Sequence, residues 1–175
     1  MRSASAALCL TLLGGILPAV AQAQGPRPED AASIEGITRA VYEAISGPAG
    51  APRDWARFRP LFHPGARLIP TGRQNGAGVA TALTVEEFVT RATPGMEGQG
   101  FFEREIGRVM ERYGNIVHFM SAYESRRTAE DPAPFQRGVN SFQLFWDGSR
   151  WWIVTIFWEA ETPDTPIPER LLRAP

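Results

Sequence analysis

The chain has 175 residues, 43% of them hydrophobic, and a formal net charge of -1 from 18 basic and 19 acidic side chains. That balance argues against a nucleic-acid binder, which carries a basic stripe. Every basic residue is Arg, and the single cysteine is Cys9, so thiolate catalysis, iron–sulfur clusters and thiolate zinc sites are excluded from any form that lacks the first residues.

Arg2, the small and apolar run from Ala6 to Val20, and Ala21-Gln22-Ala23 read as a secretory signal peptide over 1–23, cleaved after Ala23. A transmembrane anchor is the competing reading. The run falls short of the roughly 20 apolar residues of a span, and no second apolar stretch follows. A periplasmic or secreted protein without a membrane anchor is the expectation. The about 150 residues that remain are enough for one core without disulfides.

Ile34, Ile37, Val41 and Ile45 recur at helical spacing, with Glu29 and Asp30 ahead of them and Gly47-Pro48 behind. They predict a first amphipathic helix. Asp54 is placed to cap a short second helix with Trp55, Phe58 and Phe62 on one face, bent or partly 3₁₀ at Pro60. "ARLIP" reads as a short strand and "TGRQNGAGVA" as a Gly-rich surface loop without the Lys of a phosphate loop. Thr84 and Glu87 have capping-box spacing and start a third helix.

Four long segments with period-two alternation follow, turning at Gly114-Asn115 and Asp147-Gly148 and interrupted at Asp131-Pro132-Ala133-Pro134. In "EREIGRVMER", strict alternation sets Glu103 and Glu105 on one face and Arg104, Arg108 and Arg112 on the other. A solvated edge strand is the reading. On the last strand, parity sets Trp151 and Ile153 on one face and Trp152, Val154, Ile156 and Trp158 on the other, so both faces are expected to be covered. Helices first and strands later indicate α+β, with a Pro-rich tail over 164–175.

Three stretches, "DWARFRPLFHPGARLIP", "RYGNIVHFMSAYESR" and "RGVNSFQLFWDGSRWWIVTIFW", resemble the nuclear transport factor 2-like superfamily, and within it the SnoaL-like, exported bacterial branch. The resemblance covers residues 24–163. It implies a cone-shaped, curved antiparallel sheet wrapped around three N-terminal helices, with an apolar cavity and often a homodimer through the sheet. Some members are isomerases, cyclases or dehydratases that use a cavity carboxylate or His as acid or base; others do no chemistry.

The positions matching the two carboxyls of ketosteroid isomerase fall near Pro70 and near Ser141 or Phe142, none of them acidic. Trp158 matches a cavity-lining Trp. His118, in mid-strand, is the best candidate general base if it faces the cavity, and an ordinary surface residue if it faces out. His63 is either a rim acid–base group or a helix C-cap. Tyr42 and Tyr123 are candidate hydroxyl donors or plain core aromatics. Gln143 belongs to a polar stripe with Arg137 and Ser141, directed at a ligand or at the outer face. No metal or cofactor is expected. The leading expectation is a binding domain for a small apolar molecule. An acid–base enzyme and a dimerisation module are the alternatives.

Overall fold

The computed structural model describes residues 27–173. The leader expected over 1–23 therefore lies outside the described residues. A 3₁₀ turn, Pro28–Ala31, leads to α1, Ile34–Ile45. The helix starts later than its acidic flank suggests, because Ser33 is the N-cap and its Oγ accepts from the Gly36 N–H at 2.9 Å. Asp30 has a different use: it forms a buried, two-pronged pair with Arg57, with both oxygens at 2.7 Å. Ile37, Ala40, Val41 and Ile45 turn into the core.

Asp54 caps α2, Trp55–Phe58, at 2.9 Å through the Arg57 N–H, and Pro60 continues it as a 3₁₀ turn, as expected. Buried Arg53 ties the loop before it together. Its guanidinium donates to the carbonyls of Gly47, Ala51 and Met96.

The segment after α2 departs from expectation. β1, Phe62–Gln74, and β2, Ala77–Ala80, form a hairpin where a flexible loop was expected. Asn75 and Gly76 both have positive φ, 52° and 81°, as a tight two-residue hairpin turn requires. The Asn-Gly pair was the overlooked sign. α3, Val85–Gln99, opens with the complete capping box of Thr84 and Glu87.

The remaining strands are β3, Phe102–Tyr113; β4, Ile116–Arg126; β5, Gln136–Trp146; and β6, Trp151–Ala160. The curved, unclosed sheet has the order β2-β1-β6-β5-β4-β3, antiparallel except for the parallel pair β1 and β6. Helices pack on its inner face. Phe58, Phe119, Phe142 and Ile153 are essentially inaccessible there; each contributes roughly 1.5–3 kcal/mol by burial. The architecture is the expected α+β arrangement.

Two β-bulges overturn the expected faces. In β3 the pairing with β4 shifts between Glu105 and Gly107, so Ile106 is the extra residue. Arg108 and Arg112 consequently share the inner face with Glu103 and Glu105: Arg108 lies over the Phe119 ring at 4.6 Å and Arg112 over Trp151 at 5.3 Å. In β6 the pairing with β5 shifts at Val154, because Leu144 pairs with Ile153 and Gln143 with Thr155. Trp151, Ile153, Ile156 and Trp158 are therefore all on the inner side. Trp152 and Phe157 are on the outer side. The C-terminal tail runs across the outer side, where Leu171 is buried in a short 3₁₀ turn, Glu169–Leu172.

Candidate functional site

Between the helices and the inner sheet face lies a cavity of about 190 Å³. Its wall is aromatic and aliphatic, with Phe58, Phe88, Phe142 and Trp158 contributing rings. Trp158 meets Phe88 edge-on at 5.9 Å, and Phe88 stacks on Phe58 at 5.7 Å, so the rings hold one another in place. Four polar side chains break this wall: Glu103 from β3, Tyr123 from β4, and Gln136 and Asn140 from β5.

Glu103 is half-buried as a residue, but its carboxyl end is enclosed. Burial pushes that carboxyl up to about 7, against hydrogen bonds from Ser125 and Asn140 that favour the charged form. The Ser125 hydroxyl donates to Glu103 Oε2 at 2.7 Å. Near neutral pH this carboxyl is thus divided between its two protonation states. It also lines a second, larger groove of about 610 Å³ between α1 and β3. Glu103 forms part of the boundary between an apolar cavity and a polar groove.

A directed chain of hydrogen bonds starts beside it. Asn140 Nδ2 donates to Tyr42 Oη at 3.1 Å, so the Tyr42 hydroxyl, 2.7 Å from Ser121 Oγ, is left to donate to that oxygen. The Ser121 hydroxyl donates to Glu105 Oε1 at 2.6 Å. Arg108 grips the same carboxylate with Nε and Nη2 at 2.9 and 2.8 Å. Tyr42, Ser121 and Asn140 are all buried, and a buried polar network of this kind holds its members in one arrangement. Burial first and the nearby Glu103 charge second push the Tyr42 and Tyr123 hydroxyls well above the ordinary tyrosine range. Both stay protonated, the Tyr42 proton being committed to Ser121 Oγ.

The structure divides the residues singled out from sequence. Tyr42, Tyr123 and Trp158 are on the inner side, with Tyr123 and Trp158 lining the cavity and Tyr42 facing the groove. His118 and Gln143 are on the outer side and exposed. β4 turns Val117, Phe119, Ser121 and Tyr123 inward, and strict alternation sends the His118 ring the other way. His118 Nε2 lies 3.0 Å from Ser141 Oγ on that outer face, paired across with Gln143. The general-base expectation needed His118 inside, and it is outside. His63 is exposed as well, with Nδ1 accepting from the Gly65 N–H at 3.2 Å rather than its ring donating to a helix carbonyl.

Glu103 and Asn140 are the residues sequence reasoning missed. A sign was present: Ser121, Tyr123 and Ser125 alternate on one strand opposite Glu103 and Glu105, an unusual density of polar groups on what must be the helix-covered face. Among the described residues, no three His, Cys, Asp or Glu side chains gather into a metal-binding group.

No protein-family model matches the chain. No curated protein matches it. Among solved structures the chain is similar to a protein of unknown function with a cystatin-like fold from Nostoc punctiforme, at TM-score 0.55 and 10% identity over 74% of this chain and 90% of that one. It is also similar to a protein of unknown function with a cystatin-like fold from Methylobium petroleophilum, at TM-score 0.52 and 16% identity over 81% and 86%. This is the cystatin-like fold. Similar structures include a protein described as NTF-2 like, of unknown function, from Silicibacter pomeroyi, at TM-score 0.47 and 14% identity over 73% and 92%. At such identities the likeness is one of architecture, and a cystatin-like fold does not itself name an activity.

Proposed function

We propose that this protein is an exported, SnoaL-like member of the nuclear transport factor 2-like superfamily that holds a small, largely apolar molecule in its cone. Glu103, Asn140 and Tyr123 meet the polar end of that molecule. The observation that carries the reading is the Glu103 carboxyl, hydrogen-bonded by Ser125, on the wall of a largely apolar cavity, where burial pushes it up to about 7. A group so enclosed and so close to neutral is costly to keep unless something uses it. The volume, about 190 Å³, is below the roughly 300–1,000 Å³ of drug-sized sites. A single-ring or short branched compound with one carbonyl or hydroxyl is the fitting class.

Native mass spectrometry of the gently purified protein tests this. A bound small-molecule mass is expected, and Phe142→Trp, which fills the cavity, should abolish it. A clean apo mass, together with no melting shift from single-ring ketones or phenols, would overturn the reading.

A second reading follows from the same carboxyl. Glu103, populated in both protonation states at neutral pH, is suited to take a proton from a bound ligand and return it, as an isomerase, cyclase or dehydratase requires. In that reading Glu103 replaces His118 as the acid–base group, and Tyr123 and Asn140 act as hydrogen-bond donors.

The outer sheet face supports a homodimer as partner. Met120 and Phe157 are exposed there on either side of Ser141, and Phe145 is exposed further along β5 beside exposed Ile116; exposed apolar residues gathered on a sheet face mark contact sites. Light scattering is expected to give twice the chain mass at micromolar concentration, and Phe157→Glu to halve it. A wild-type monomer at that concentration would remove the dimer from the proposal.

A further inference from the structure

The C-terminal turn touches the acidic site at one remove, through the bulge in β3. β3 is an edge strand of the sheet, and the N–H of Arg108 donates to the Arg173 carbonyl at 2.9 Å. One residue earlier, the tail backbone lies directly on Gly107. A Cβ there would reach Leu172 Cα at 2.6 Å and its carbonyl carbon at 2.7 Å, and would strike the Leu171 carbonyl oxygen as well. These are backbone atoms, which cannot step aside as a flexible side-chain end can. Leu171 is 6% exposed, so this segment is packed against the sheet.

The tail therefore clamps the two residues that follow the extra residue of the bulge. Bulge position decides which way Arg108 points. With the bulge at Ile106, the Arg108 guanidinium turns inward and holds Glu105. Glu105 in turn anchors Ser121, Ser121 orients Tyr42, and Tyr42 accepts from the Asn140 amide beside Glu103. The geometry points to a positioning role for the tail: docking of Leu171, Leu172 and Arg173 on Gly107 and Arg108 locks the inward register of β3 and so keeps the Glu103 carboxyl enclosed and hydrogen-bonded.

This inference rests on Glu103 being the polar centre of the site. The titratable and charged groups facing that centre are Tyr42 from α1 and Tyr123 from β4, with Glu105 and Arg108 beside it on β3 and, around the groove that Glu103 also lines, Glu35, Arg39 and Glu43 from α1, Arg104 from β3, and Glu124 and Arg126 from β4. The tail contributes none of them directly. Its influence passes through register alone, and a role confined to general stability would leave the titration of Glu103 where it is.

The test is the titration midpoint of the Glu103 carboxyl, followed by NMR in the full chain with labelled glutamate and assigned through Glu103→Gln. Two variants release the tail from different sides: Gly107→Ala, which removes its seat on the strand, and Leu171→Glu, which removes its buried anchor. The expected result is a midpoint near neutrality in the wild type and a fall of about one pH unit or more, towards ordinary carboxylates, in whichever variants remain folded. A wild-type midpoint near neutrality that stays in place in a folded, tail-released variant overturns the inference and leaves the proposed site standing. An ordinary carboxylate midpoint in the wild type overturns both.

Discussion

Glu103→Gln is expected to melt about 5 °C above the wild type at pH 8 and close to it at pH 5. The folded protein raises this carboxyl from 4.5 to about 7, chiefly by burial. Folding thus favours the protonated form. Stability associated with the group is present below the unfolded value, falls as pH rises from 4.5 towards 7, and is flat above that. At about 1.4 kcal/mol per pH unit the displacement corresponds to roughly 3 kcal/mol, and partial exposure of the residue reduces this to on the order of 2 kcal/mol. The amide of Gln keeps the shape and a hydrogen-bonding oxygen but carries no charge. The difference between the two melting curves as a function of pH isolates Glu103 from every other titrating group. Parallel curves from pH 5 to pH 8 would mean that the carboxyl is solvated and the proposed site is wrong.

Asp30→Ala is expected to cost about 3 kcal/mol in urea denaturation, one of the larger effects open to a single substitution here. Asp30 and Arg57 are 2% and 5% exposed, and the guanidinium lies against both carboxylate oxygens at 2.7 Å. Removing the acid leaves a buried cation whose remaining partner is Glu43, at 2.8 Å but on a half-exposed side chain. Asp30→Ala combined with Arg57→Met should recover much of the loss, because an apolar pair does not need to be desolvated as ions. Hydrogen bonds from Arg57 hold the Asp30 carboxyl below the ordinary carboxylate range. Its stabilisation is therefore complete above the unfolded value of 3.8 and is lost as pH falls below it. A loss under about 1 kcal/mol for the single variant, or a larger loss for the double one, would contradict this account.

Both effects come from polar groups in the interior, and these were the least legible part of the sequence. The helices were readable because their signals are local. Apolar spacing in α1, Asp54 before α2 and the Thr84–Glu87 box each act within a turn or two of chain. The turns at Gly114-Asn115 and Asp147-Gly148 are equally local, and with the long alternating segments they determined an α+β chain with a four-stranded meander.

What the tertiary structure alone decided is which side each strand residue faces. Side-chain parity is exact over a regular strand, but a single inserted residue inverts everything beyond it. Ile106 and Val154 are two such residues, and nothing in their identity marks them. Their positions depend on partners distant in the chain: the tail on Gly107 and Arg108 for the first, the pairing of Leu144 with Ile153 for the second. Strict alternation therefore made Glu103 and Glu105 a solvated edge and split the tryptophans between two faces. The amino-acid sequence by itself determined the elements and the supply of aromatic and acidic side chains. The cross-strand registers and the docked tail, which exist only in the assembled fold, decided that Trp151 and Trp158 line one wall, that His118 faces outward, and that Glu103 sits at the cavity.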